Sequence, residues 1–396
     1  MTTTAFILGV TLALTAVTPT ITPNGGNYSG SVSVTMQTAT STDAAFNNSQ
    51  IAKTATYWAS PTGTSSSCVN SATDPGGNYL ELYAAVACLR TGDTLMLKPG
   101  VYDKYFYNSA IPAGSPGAYT TIRGSTAGRD AILKPSRDNS VIYLGTASQR
   151  YIEFANMEIN GSGVEAATVK ITDDLFDKQK PCADCGAHHI RLRNVLIDSG
   201  TNDNGFAMGA TKNGILGGGP GLEILNSEIR NSIYGLYWGG ADALIEGNWI
   251  HHNPGYGLHF YCGGGCGEGL QPINNNIVRF NLIENNATSN PFCSNALLFA
   301  NGANNIAYNN IIRNNGPGAC GGGIQIHSYA RDIKIYNNVI YNNGAGGIYM
   351  GNNTDGTIVR NNIAYLNKRG DFVIDGGTNV TESNNLFGVN PGFVNP

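Results

Sequence analysis

Six side chains combine phenol, imidazole and amide chemistry at one repeated place in the chain. Tyr237, His259, Gln325 and Tyr349 each sit at the centre of a short alternating segment, and Tyr261 and His327 follow such a centre by two residues. Aromatic rings stack on the apolar faces of hydroxylated ligands, while phenol, imidazole and amide groups bond the hydroxyls, so a row of them suits a sugar chain. Lys170 is the centre of an earlier segment, and Asp173 and Asp174 follow it. Amines and imidazoles can act as the base that removes a proton beside a carboxylate. Paired carboxylates can hold a calcium ion that neutralises that carboxylate. The residue types therefore nominate Lys170, His259 and His327 as catalytic and Tyr237, Tyr261, Gln325 and Tyr349 as substrate-binding. They nominate Asp173 and Asp174 as metal ligands, with Ca2+ as the expected cofactor. The plainer explanation is a solvated sheet that happens to carry Tyr and His.

These positions recur because the C-terminal two-thirds of the chain repeats. A phrase of aliphatic residue, spacer, Asn and Ile reads Ile190–Arg–Leu–Arg–Asn194–Val–Leu–Ile197, Ile245–Glu–Gly–Asn248–Trp–Ile250 and Ile335–Tyr–Asn–Asn338–Val–Ile340. Its last apolar residue falls at 159, 197, 229, 250, 283, 312, 340 and 364, in steps of 38, 32, 21, 33, 29, 28 and 24. Such periods belong to solenoids, whose units bury their apolar faces only by stacking on copies of themselves. A second phrase follows each first one: Val169–Lys–Ile171, Phe206–Ala–Met208, Leu236–Tyr–Trp238, Leu258–His–Phe260, Leu297–Leu–Phe299, Ile324–Gln–Ile326, Ile348–Tyr–Met350 and Phe372–Val–Ile374. Alternation with period two means strands with one buried face. Two or three short strands per turn, with Gly and Asn between them, predict an all-β parallel β-helix of about nine or ten coils.

In such a stack equivalent residues lie about 4.8 Å apart. The outward centres form a column of Lys170, Ala207, Tyr237, His259, Leu298, Gln325, Tyr349 and Val373. A parallel column two residues on holds Tyr261, Ala300, His327 and Asp375. His259 and His327 would stand two coils, roughly 10 Å, apart. The Asn residues that close many phrases (Asn231, Asn253, Asn286, Asn315, Asn343 and Asn367) read as scaffold. Asn tolerates left-handed backbone and can bond its counterpart one coil on. A cap over the open end is expected at Tyr79–Cys88, with Leu80, Tyr83, Ala84 and Ala87 on one helical face, and Asp93–Tyr102 should begin the coils.

The chain has 396 residues, is 13% charged and carries a net charge of −4, so nothing in it makes a nucleic-acid footprint. Low charge with abundant Gly, Asn, Ser, Thr and Tyr fits secreted β-rich proteins, and an extracellular monomer is expected. In that setting the eight cysteines read as disulfides, with Cys68–Cys88, Cys182–Cys185, Cys262–Cys266 and Cys293–Cys320 as the pairs. Cys182, Cys185, His188 and His189 also invite a zinc reading, but His189 abuts the next strand and extracellular cysteine pairs oxidise. His251 and His252 fall at a tolerant corner. Residues 5–17 look like the apolar part of a secretion leader without its basic start, and are too short and Thr-rich to span a membrane.

Two resemblances add to this. Pro19–Val34 resembles the opening of the small β-sandwich appended to chitobiases, so residues 1–50 are expected to be the remnant of an accessory module and a linker. Residues 51–396 then form the helix domain. Tyr57–Trp–Ala–Ser–Pro61, Cys88–Leu–Arg–Thr–Gly–Asp–Thr–Leu95, the Asn–Asn–x–Ile repeats and Asn390–Pro–Gly–Phe–Val394 resemble right-handed parallel β-helix proteins of bacteria, the superfamily of pectate and alginate lyases. That resemblance implies a polysaccharide partner and β-elimination of a uronate chain, with calcium held by carboxylates. The alternative is a β-helix that binds glycans or serves as a surface protein without turning anything over. Hydrolysis needs a flanking carboxylate pair. Of the polygalacturonase motifs of this fold only Asp173–Asp174 has an echo here, and the Asp–Pro–His motif of alginate epimerases is absent.

Overall fold

The structure, a computed structural model, describes residues 54–108, 111–171, 186–200, 212–261, 273–288, 294–316 and 321–393, together with the short strands at 21–22 and 35–36. The chain divides into two compact units, 1–53 and 54–396. In the first, Ile21–Thr22 pairs antiparallel with Thr35–Met36. The accessory-module expectation otherwise falls outside the described residues. The second unit is the parallel β-helix that the repeats predict.

Each regular coil carries three strands, one on each of three faces. One coil contributes Glu223–Leu225, Glu228–Arg230 and Leu236–Trp238, and the next contributes Leu244–Glu246, Trp249–His251 and Leu258–Phe260. In the two preceding coils the first and second faces are still one bent strand, Arg150–Asn160 and His188–Asp198. Asn156 and Asn194 make the bend at φ 52° and 51°, a left-handed conformation that Asn tolerates. The third face is a ten-stranded parallel sheet running from Phe106–Tyr107 to Phe372–Ile374. Its inward side stacks like on like. Leu236, Leu258, Leu297, Ile324 and Ile348 follow one another in register, each fully buried.

That register corrects one expectation. The strand beside Val169–Ile171 is Ile215–Gly217, so Leu216 rather than Ala207 stands between Lys170 and Tyr237. Phe206–Met208 lies outside the described residues. Phe206–Ala–Met208 fits the apolar–variable–apolar pattern better than Ile215–Leu–Gly217 does, so the pattern alone nominates a different segment from the one that stacks.

The asparagines divide their work. In the pairs Asn309–Asn310, Asn314–Asn315, Asn337–Asn338 and Asn342–Asn343 the first residue takes the left-handed turn, at φ 52° to 55°. The second points inward and is buried. One buried ladder runs Asn248, Asn281, Asn310, Asn338, Asn362, Asn385, each Nδ2 donating to the next Oδ1 at 2.9 to 3.0 Å. A second runs Asn253, Asn286, Asn315, Asn343, Asn367 at 2.8 to 3.0 Å. Asn231 does not belong to it. That residue turns outward at φ 52° and donates to Asp198, and Ser232 holds the ladder position instead, its N–H donating to Asn253 Oδ1.

The coils begin earlier than expected, because Thr56–Ala59 already pairs in parallel with Thr94–Leu97. Between those strands lies one helix, Leu82–Cys88, whose first turn is capped by the Glu81 carboxylate accepting from the Tyr83 and Ala84 N–H groups. The cap shifts the buried face. Leu82, Ala85, Val86 and Cys88 are buried, Tyr83 and Ala87 face solvent, and Leu80 is buried from outside the helix. Cys68 and Cys88 form a disulfide with Cα atoms 5.5 Å apart, closing a loop of separation 20. The other six cysteines lie outside the described residues. Replacing Cys68 and Cys88 together by Ser is expected to cost about 3 kcal/mol, the chain-entropy value for such a loop. Urea unfolding measures it, and an unmoved midpoint would mean that the helix and first strand hold this end unaided. Among the described residues no helix is long and apolar enough to cross a membrane.

Candidate functional site

The outward column of the third face reads Tyr107, Tyr143, Lys170, Leu216, Tyr237, His259, Leu298, Gln325, Tyr349, Val373. The nominated residues fall into three groups along it.

The central group is a ring cluster on two adjacent coils. The His259 ring lies 4.7 Å from Tyr237, 5.3 Å from Tyr261 and 4.3 Å from Tyr256, centroid to centroid. It stacks on Tyr256 and on Tyr261, with interplanar angles of 23° and 4°. Tyr234 meets it edge-on at 5.8 Å. Tyr234 and Tyr256 are not among the residues nominated from the sequence, although a signal is there. Tyr234–Gly–Leu–Tyr237 and Tyr256–Gly–Leu–His259 repeat one pattern, with a Tyr three residues before each centre.

Electrostatically the cluster is neutral. Burial among the rings pushes the His259 imidazole down to about 3, so it is uncharged at any ordinary working pH. Burial likewise pushes Tyr256 up to about 12 and raises Tyr237 and Tyr234. The phenols therefore keep their protons and act as donors and acceptors rather than as bases. His259 Nδ1 is buried and has no hydrogen-bond partner among the described residues. An imidazole so weakly basic takes protons poorly, so the geometry suits His259 to binding better than to the basic role its residue type suggested.

Leu298 and Ala300 on the next coil separate this cluster from the second group. There Asn295, Gln325, Tyr349, Arg369 and Val373 line an open cleft of about 310 Å³. Asn295 Nδ2 donates to Gln325 Oε1, which fixes the amide. The Tyr349 hydroxyl donates to Asp375 Oδ2 at 2.6 Å, and that bond raises the phenol's pKa. His327 lies two residues beyond Gln325 on the same strand, its Nδ1 2.5 Å from Ser328 Oγ. Its ring fits against Gly351, where a Cβ would come within 2.2 Å of His327 Cδ2. Asn295 and Arg369 carry no repeat signal and escaped the sequence argument.

Lys170 forms the third group. Its Nζ lies 5.3 Å from the Tyr143 ring centre, and Leu216 separates it from Tyr237. Asp173 and Asp174 lie outside the described residues. Calcium takes six to eight oxygens, and the described neighbours of Lys170 in the column, Tyr143 and Leu216, add no carboxylate. Among the described residues no group of three or more His, Cys, Asp or Glu is placed to hold a metal ion.

The remaining motifs are built into the first and second faces. Glu153 is 3% exposed and bonded by both Arg191 and Arg193, while Arg191 also pairs with Glu223 and lies 3.9 Å over the Tyr119 ring. His188 and His189 bond each other at 2.7 Å through Nδ1, and His189 stacks on Tyr151. Cys182 and Cys185, their suggested zinc partners, lie outside the described residues. His251 is held between His252 and Glu228, and its ring stacks on Trp249.

The family described as the right-handed β-helix region matches residues 213–387. No curated protein sequence matches the chain. Solved structures share the fold at low identity. The pectate lyase Pel9A is 16% identical with a TM-score of 0.52, covering 86% of this chain and 81% of its own. The GH136 lacto-N-biosidase from Eubacterium ramulus is 12% identical with a TM-score of 0.50, covering 85% and 68%. The Dettilon tailspike protein gp208 is 13% identical with a TM-score of 0.50, covering 83% of this chain and 59% of its own. At these identities the likeness establishes the right-handed parallel β-helix and nothing about the reaction.

Proposed function

We propose that this is an extracellular carbohydrate-active protein that holds a polysaccharide along the third face. The observation that carries this reading is the ring cluster of Tyr237, Tyr256, His259 and Tyr261, aligned by the coil register with the polar cleft at Gln325 and Tyr349. A row of rings and neutral polar tips repeating at the strand spacing is what an extended glycan meets ring by ring. The names pectate lyase and lacto-N-biosidase among proteins of the same fold support a glycan ligand.

Lys170 supports a second reading, β-elimination of a uronate-containing chain, because its amine stands in the same outward column as the rings. Under that reading Lys170 is the base and His259 and His327 help to seat the substrate. Calcium bound at Asp173 and Asp174 would neutralise the uronate carboxylate.

Electrophoresis through gels containing alginate, pectate, glycosaminoglycans or neutral glycans tests the first reading: retardation in at least one is expected, and free migration in all of them contradicts it. Ultraviolet absorbance with the same panel, with and without calcium, tests the second. An absorbance rise that Lys170→Ala abolishes establishes elimination. Retardation with neither a rise nor new reducing ends leaves binding as the function.

A further inference from the structure

We propose that the ring cluster around His259 is a subsite for an uncharged sugar ring, so the glycan held on the third face contains neutral units, alone or alternating with acidic ones. This rests on the third-face reading and narrows its ligand away from a pure polyuronate.

Two observations carry it. The first is the orphaned nitrogen. His259 Nδ1 is buried with no partner among the described residues, and a buried polar atom left unbonded is costly. A ligand hydroxyl that turns a flanking tyrosine ring aside can satisfy it, donating to the lone pair or accepting from the N–H according to the tautomer. A carboxylate could use only the N–H form.

The second is the company the imidazole keeps. Among the described residues, the groups facing it are Tyr234 and Tyr237 from the preceding coil, Tyr256 and Tyr261 from its own coil, and Leu298 from the next. None of these is a cation. A carboxylate drawn among them would lose water without gaining a counter-ion. A pyranose loses little there, because its C–H faces stack on phenol rings and its hydroxyls find phenol and imidazole partners. Described cations of this face flank the cluster at a distance: Lys170 two coils before Tyr237, and Arg369 in the cleft beyond Leu298. Acidic units therefore fit beside those cations and neutral ones between them. Since burial holds His259 near 3 and Tyr256 near 12, neither changes charge over the working range.

Titration calorimetry on the full chain, with cellohexaose, mannohexaose, chitohexaose, hexagalacturonate and hexamannuronate as probes, tests this. At least one neutral hexamer is expected to bind, its affinity changing less than about twofold between ~pH 5 and ~pH 9. His259→Phe keeps the ring stack and removes both nitrogens. It is expected to weaken that binding about tenfold, the value of one hydrogen bond, while thermal stability stays level or rises because an unbonded buried nitrogen is gone. A purely structural histidine would not separate those two readouts. Neutral hexamers bound equally well by His259→Phe would overturn the inference. So would acidic hexamers that bind best and are weakened by His259→Phe, although this second result leaves the third-face reading standing. No binding by either class overturns both.

Discussion

Asn338→Ala is expected to be among the most destabilising single substitutions in this chain, at about 3 to 5 kcal/mol. Asn338 is 1% exposed and sits in the middle of the longer ladder. Its Oδ1 accepts from both the backbone N–H and the Nδ2 of Asn310, at 3.0 Å each. Its Nδ2 donates to the Ala307 carbonyl and to Asn362 Oδ1, again at 3.0 Å. Alanine would strand the two Asn310 donors and remove the bond to the Ala307 carbonyl on the same coil, where the stacked strands leave little room for water, while Asn362 Oδ1 would keep the backbone N–H of residue 338. Each orphaned group costs about 1 to 3 kcal/mol, and partial relaxation brings the total below their sum. The adjacent residue provides the control. Asn337 takes the turn at φ 53°, so Asn337→Gly should be nearly neutral because glycine accepts that backbone without strain. Urea unfolding of both variants checks the division of labour within the pair, and equal losses would contradict it.

The double substitution Tyr237→Ala with Tyr261→Ala is expected to weaken glycan binding to the third face at least about 30-fold while the fold survives. Both rings are outward, on a sheet whose inward residues, Leu236, Trp238, Leu258 and Phe260, are untouched. The two rings lie 6.3 Å apart and flank His259. Losing them removes the stacking surfaces and opens the imidazole to water. Its pKa should then climb from about 3 toward the ordinary histidine range. A lost aromatic platform is worth about 1 to 3 kcal/mol per ring by alanine substitution, so two rings weaken the complex by about 2 to 6 kcal/mol, roughly 30-fold or more. Affinity electrophoresis reads the loss, and the imidazole's titration by nuclear magnetic resonance reads the pKa. Retardation as strong as in the unsubstituted chain would mean that the ligand lies elsewhere.

How much of this was legible in the amino-acid order follows from the architecture. A solenoid gives every coil the same environment, so the inward leucines and isoleucines, the outward centres and the corner asparagines return at each turn and can be aligned by eye. The column from Tyr237 through Tyr349 was readable for that reason. Three things depended on particulars that do not repeat. Ile215–Leu–Gly217 ends on glycine and alternates less well than Phe206–Ala–Met208, and only pairing reveals it as the stacked strand. The cap helix faces its core by Leu82, Ala85 and Val86 because Glu81 sets where it starts, which moved the buried side away from Tyr83 and Ala87. Most consequential, the character of His259 comes from four rings on two coils. A histidine in a column suggests a base, and only the enclosing tyrosines show that it stays neutral and poorly basic.

The asparagine pairs show the same limit on a smaller scale. Asn–Asn reads as a turn, and the first residue is one. The ladder from coil to coil was readable as well, but which residue of each pair turns and which points inward to build it appears only when the coils are stacked.

The most direct test of the account is where a bound glycan lies. A crystal structure of the chain soaked with the best-retained oligosaccharide is expected to place sugar rings against Tyr237, His259 and Tyr261, with the chain running along the stack toward the cleft of Gln325 and Tyr349. Sugar bound instead on the first or second face, with the His259 cluster left without ligand, would contradict it.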